Sequence, residues 1–123
     1  LLEKNGRLID EKIFRELLVA ITRCQGDRDA PDHAEIILKQ TKRLTPNSYH
    51  YNAVLMGFAR RGWAKKAERM LKEMQFLRRK KKLVDGPNTI TYNVVLDALS
   101  KSQDSDTVKR AELIWKKMMK ISR

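Results

Sequence analysis

The chain has 123 residues, 41% hydrophobic and 34% charged, which is enough apolar material for the core of one ordinary domain and argues against a disordered chain. Mean hydropathy is −0.59 and no run of eighteen apolar residues occurs, so a membrane-spanning helix is excluded. Lys and Arg number 27 against 15 Asp and Glu, a net charge of +12, and a polyanionic partner would relieve the self-repulsion.

In chain order, 1–10 reads as neither a signal peptide nor an Arg/Ser-rich transit peptide, and no initiator Met stands there. It reads instead as the tail of an upstream repeat, with Gly6 at its last turn, so a longer array is expected. Phe14, Leu17, Leu18 and Ile21 then fall at i, i+3, i+4 and i+7, one apolar face of a helix over about 10–23. Pro31 suits the first turn of a second helix over 31–42, whose stripe is Ala34, Ile37, Leu38 and Thr41.

The same two stripes recur. Tyr51, Val54, Leu55 and Phe58 predict a helix over 48–61, Gly62 stops it, and Ala67, Met70, Leu71 and Met74 predict a partner over 63–77. Tyr92, Val95, Leu96 and Leu99 predict a helix over 89–101, and Ala111, Ile114, Trp115 and Met118 one over 107–121. Each leading Ala of a second helix is followed by Glu: Glu35, Glu68 and Glu112. Asp10, Asn47 and Asn88 each stand four residues before the leading aromatic, where a side-chain oxygen caps the next helix. The expected fold is all-α, an α-solenoid of stacked antiparallel hairpins, about six helices in three repeats divided near 11–47, 48–88 and 89–123.

The charge is lopsided. Between Arg60 and Lys82 stand eleven basic residues and two acidic ones. Five consecutive cations, Arg78, Arg79, Lys80, Lys81 and Lys82, sit in the extra length of the middle repeat and predict a flexible phosphate-binding arm or a docking point on structured RNA. The single Cys24 has no disulfide partner in the chain, and neither His33 nor His50 is spaced to pair with it, so a buried or incidental thiol is expected. With no metal-ligand spacing, Gly-rich phosphate loop or Ser/His/Asp arrangement, neither an enzyme nor a cofactor is expected.

Several solenoid families use hairpins of this size, and two strings choose among them. Pro46-Asn47-Ser48-Tyr49-His50-Tyr51-Asn52 and Pro87-Asn88-Thr89-Ile90-Thr91-Tyr92-Asn93 resemble the start of a pentatricopeptide repeat, and Arg60-Arg61-Gly62, Ala67 and Met74 continue the middle repeat in kind. The resemblance is strong in the middle repeat, good in the third and weak in the first, where Phe14-Arg15 replaces Tyr-Asn. A tetratricopeptide repeat fits poorly, because Trp63 and Trp115 both fall in predicted second helices.

The resemblance implies single-stranded RNA as partner, with one base addressed per repeat. The implied base-reading residues are Asn52 with Asn88 in the middle repeat, Asn93 in the third, and Arg15 with Asn47 in the first, where Arg15 departs from the family's usual choices. An Asn–Asn pair suggests a pyrimidine. Taken singly, Asn52 and Asn93 could be ordinary first-turn residues, but their recurrence after Tyr in register favours reading. Tyr49 and Ile90 are the implied base-packing residues, with a helix-entry staple as the bland alternative; Lys12 holds the same place in the first repeat. Arg23, Arg60 and Lys101, nine residues after each aromatic, are implied phosphate contacts and would also suit the helix macrodipole. A monomer with no membrane partner is expected, and the resemblance implies a mitochondrial or chloroplast location. The competing expectation is a scaffold of a ribonucleoprotein or protein complex, touching RNA through charge or binding an acidic protein.

Overall fold

A hairpin with an apolar stripe on each helix cannot bury both stripes internally, so the hairpins must stack. The computed structural model describes residues 11–40, 46–83 and 85–121. Among them run α1 (Glu11–Thr22), α2 (Ala30–Gln40), α3 (Ser48–Arg60), α4 (Ala64–Arg79), α5 (Thr89–Ser100) and α6 (Thr107–Ile121), with no strand. Each odd helix pairs with the even helix that follows it; α1, α3 and α5 pack in sequence, and α2 and α4 each pack on the next odd helix. This is an all-α helical repeat array. The cap expected at Asp10, the tail over 1–10 and the stripe position Thr41 lie outside the described residues.

The middle stripes form the centre of the core. Val54, Leu55, Phe58, Met70, Leu71 and Met74 are all essentially inaccessible, and Phe14, Leu18, Leu38, Tyr92, Val95 and Leu99 join them from either side. Each such side chain contributes roughly 1.5–3 kcal/mol of burial. The outer stripe of α6 differs: Val108 and Trp115 are 70% and 56% exposed, whereas Ala64 and Leu71, which hold the same places in α4, are buried. No described element covers that face of α6.

The turn from α3 to α4 is a Schellman motif. Gly62 takes φ +69°, its N–H donates to Ala59 O at 3.0 Å, and the Trp63 N–H donates to Phe58 O at 3.0 Å. Trp63 thus lies outside α4, packed on Phe58 with ring centroids 6.1 Å apart. The same motif closes α4 two residues beyond the expected end. There Lys81, at φ +59°, donates to Arg78 O at 3.0 Å, and Lys82 donates to Leu77 O at 2.9 Å.

The expectation of a flexible arm is corrected here. Arg78 and Arg79 belong to the last turn of α4, and Lys80, Lys81 and Lys82 form its cap. Beyond them Leu83 is buried in the core. The Asp85 carboxylate accepts the Ser48 N–H at 3.1 Å, and the Ser48 hydroxyl donates to Gly86 O. The segment is pinned to the start of α3 because it supplies one core side chain and partners for the first turn of that helix.

A row of ion pairs joins successive repeats along the even helices. Lys66 reaches Asp32 at 2.8 Å, Arg69 holds the Glu35 carboxylate with two bonds of 2.9 and 3.0 Å, and Lys39 reaches Glu73 at 3.1 Å. Arg110 gathers Glu68, Asp104 and Asp106 at 2.8–2.9 Å. Burial pushes the Glu35 carboxyl up, but hydrogen bonds from Arg69 and Lys39 outweigh it and hold the group below its ordinary value.

Two predictions follow from this packing. A folded-state pKa below the unfolded one stabilises the protein above the unfolded value and ceases to do so as pH falls through the folded one. Thermal melts should therefore show Glu35→Gln less stable than the wild type near neutrality, with the gap closing as pH drops below 4; a gap constant from pH 7 to 3 would contradict the pairing. At Gly57, an added Cβ would sit 2.8 Å from Thr22 Cβ and 3.2 Å from Pro31 Cβ. Gly57→Ala should cost about 1–3 kcal/mol in denaturant unfolding despite its better helix propensity.

Candidate RNA interface

The entries to α3 and α5 are built alike, and they lie side by side. Each is preceded by an Asn in extended conformation, Asn47 (φ −120°) and Asn88 (φ −124°). The Asn47 oxygen accepts the His50 N–H at 3.2 Å while His50 Nδ1 accepts the Asn47 N–H at 3.0 Å. The Asn88 oxygen accepts the Thr91 N–H at 3.0 Å while Thr91 Oγ1 accepts the Asn88 N–H at 3.1 Å. Both are reciprocal capping boxes, with His50 and Thr91 in place of the usual Glu or Gln.

One turn into α3, Asn52 points across the repeat boundary at the second of these caps. Its Nδ2 donates to Asn88 Oδ1 at 3.3 Å, and its Oδ1 accepts the Thr91 hydroxyl at 2.7 Å. The fold therefore joins Asn52 and Asn88, 36 residues apart in sequence. Asn52 is 3% exposed and Thr91 fully buried, whereas Asn88 stays half-buried. Any ligand meeting this pair from solvent meets Asn88 first.

The other implied readers sit differently. Asn93, one turn into α5, is exposed, with no described element packed over it. Arg15 is half-buried, its Nη1 3.2 Å from Glu16 Oε1. At the first repeat boundary His50 meets Phe14 in a tilted ring contact, centroids 5.0 Å apart, so an aromatic contact stands where the second boundary has a hydroxyl. Tyr49 and Ile90, both in the second position of their helices, are 56% and 47% exposed and leave half their surface open to a base. Lys12 is exposed.

The implied phosphate contacts mark the opposite ends of the odd helices. Arg23 follows α1, Arg60 ends α3 and Lys101 caps α5, all three exposed. Lys101 is tied to Asp97 at 3.0 Å. From Asn52 to Arg60 is eight helical residues, about 12 Å along the axis. Arg61 has separate work: it donates to Cys24 O and Asp27 O at 3.0 Å each and closes the α1–α2 turn. An open cleft of about 450 Å³ runs between the α3–α4 and α5–α6 turns, lined by Trp63, Lys65, Lys66, Lys101 and Asp104 among others. It places Lys101 near two cations of α4. Arg78, Arg79, Lys80, Lys81 and Lys82 are all exposed, and Lys80 lies over the Phe76 ring at 5.7 Å.

Sequence reasoning missed Thr91, which shares its position with His50 and shows no recurrence to draw attention. It also missed Arg61, because a second Arg beside Arg60 looks like more of the same charge. Cys24 is exposed. Among the described residues no group of His, Cys, Asp and Glu is arranged to hold a metal, and no helix is long and apolar enough to cross a membrane.

Residues 42–75 match the family model of the PPR repeat. That segment is similar to a pentatricopeptide repeat. The matched PPR segment takes in α3 and most of α4, the hairpin at the centre of the array, and begins before the Asn47 cap. PPR repeats are generally those of RNA-binding helical repeat proteins. No curated protein and no solved structure matches the chain.

Proposed function

We propose that this protein binds single-stranded RNA along its odd helices, one base per repeat, in organellar RNA processing, stability or translation. The observation that carries the reading is the Asn52–Asn88 hydrogen bond, which unites the two polar residues of the middle repeat at the entry to the next odd helix. An amide can meet a base edge as donor or acceptor, and an exposed Tyr49 beside it offers a flat wall worth roughly 1–3 kcal/mol per stacked base. Asn93 and Ile90 hold the same helix positions in the third repeat, both exposed. The exposed cations Arg23, Arg60 and Lys101 stand at one level of three successive odd helices, where a backbone running past the stack would meet them. The family's usual setting supports a mitochondrial or chloroplast location.

A second reading has its own support. The exposed cations at the end of α4, Arg78 to Lys82, lie apart from the helix entries and would bind folded RNA by charge alone. The protein would then be a structural piece of a ribonucleoprotein.

Fluorescence anisotropy with short RNAs at two salt concentrations separates the readings. Base reading predicts tighter binding to single strands than to duplex, with a base preference that falls about five- to tenfold in an Asn52→Ala/Asn93→Ala double variant. Equal, steeply salt-dependent binding to every polyanion would replace it with the charge reading, and no binding at low salt with a protein scaffold.

A further inference from the structure

We propose that Thr91 is a positioning residue for the middle repeat, its hydroxyl fixing the polarity of the Asn52–Asn88 pair so that this reader offers only N–H donors. The inference rests on the base-reading proposal and deepens it at the same site.

The argument is an accounting of donors and acceptors. A hydroxyl has one proton and can accept in return. Thr91 Oγ1 accepts the Asn88 N–H at 3.1 Å, which leaves its proton for an oxygen. Two lie within reach, Asn52 Oδ1 at 2.7 Å and Asn88 Oδ1 at 3.0 Å. The Asn88 oxygen already receives the Thr91 N–H and the Asn52 amide, so the shorter bond, to Asn52, takes the proton. With its oxygen held by Thr91, Asn52 must turn its nitrogen toward Asn88. With its own oxygen held by that nitrogen and by the cap, Asn88 must turn its nitrogen away.

Asn88 Nδ2 has no partner among the described residues, and Asn88 is the half-buried, accessible member of the three. The pair therefore faces solvent with donors, and a base that meets it must bring an acceptor. On the pairing edge uracil offers two acceptors (O2 and O4) and cytosine two (O2 and N3), while adenine offers there only N1, so a donor-only pair is better matched by a pyrimidine. A buried Thr on the following repeat thus sets which edge the preceding repeat accepts. At the first boundary the same places hold Arg15, Asn47 and His50, so this lock belongs to the second boundary.

Thr91→Val removes the hydroxyl at nearly constant shape, and Thr91→Ser restores it. Binding of oligouridylate, oligocytidylate and oligoadenylate of equal length would be measured for each, alongside the resonances of the Asn52 side-chain amide in the free protein. The expected result is that the wild type and Thr91→Ser prefer the pyrimidine strands. Thr91→Val should lose about three- to tenfold of that preference, with an unchanged salt slope and a shifted Asn52 amide. A preference retained in Thr91→Val would overturn the inference and leave base reading intact. If the wild type shows no preference, base reading itself fails, and the amide resonances still judge the lock: an Asn52 amide indifferent to Thr91→Val would overturn it. Should Thr91→Val fail to fold, Asn52→Asp tests the same relay. A carboxylate there accepts only, so Asn88 must turn its nitrogen inward, and a preference reduced or reversed toward oligoadenylate is expected. An unchanged pyrimidine preference would sink the idea.

Discussion

Stacking between repeats is the constraint from which the rest descends. A two-helix hairpin is too thin to hide side chains such as Phe58, Met70 and Leu71 from water, yet all three are essentially inaccessible here because α1–α2 and α5–α6 flank α3–α4. The stack sets the register between neighbours, and the register decides which polar groups meet. At the helix entries it brings Asn52 to Asn88 and Thr91; along the even helices it brings Asp32 to Lys66 and Glu35 to Arg69. Gly57 shows how close the approach is, since α3 passes Thr22 and Pro31 with no room for a methyl group.

The two polar seams have different characters. Along the even helices the contacts are charge pairs, several half exposed, and such pairs individually contribute little to stability at the surface. Their effect on the charge pattern is larger, because Lys66, Arg69 and Arg110 are matched with carboxylates while Arg23, Arg60 and the cap of α4 stay exposed. At the odd-helix entries the seam is neutral and buried, where an unmade hydrogen bond costs more than a made one gains. Such a network holds a definite orientation. A reader of bases needs that property, since a freely flipping amide would accept opposite edges equally.

Much of this was legible in the sequence because periodicity and punctuation are local. The recurrence of Tyr51 and Tyr92 with their stripes located α3 and α5, and Asn47 and Asn88 marked their caps to the residue. What escaped depended on the stack or on backbone choices the chain does not advertise. Lys81 adopts a left-handed conformation usually left to Gly, so the end of α4 looked like a loose arm. Glu35 and Glu68 recur visibly, but Arg69 and Arg110 reach them from different places in their own helices. The burial of Asn52 was likewise invisible, since its partners Asn88 and Thr91 lie 36 and 39 residues away in sequence.

The account places the RNA on the entries of the odd helices and away from the even-helix face. Hydrogen–deuterium exchange of the whole protein, with and without a single-stranded RNA, tests that placement directly. The amides at a helix entry open by local fraying even when capped, and a ligand laid over them slows that opening. Slowed exchange at the start of α3 and α5, around Tyr49 to Asn52 and Ile90 to Asn93, with α4 unchanged, is the result predicted. Protection confined to α4 and its cap from Lys65 to Lys82 would contradict it and assign the RNA to the basic face instead.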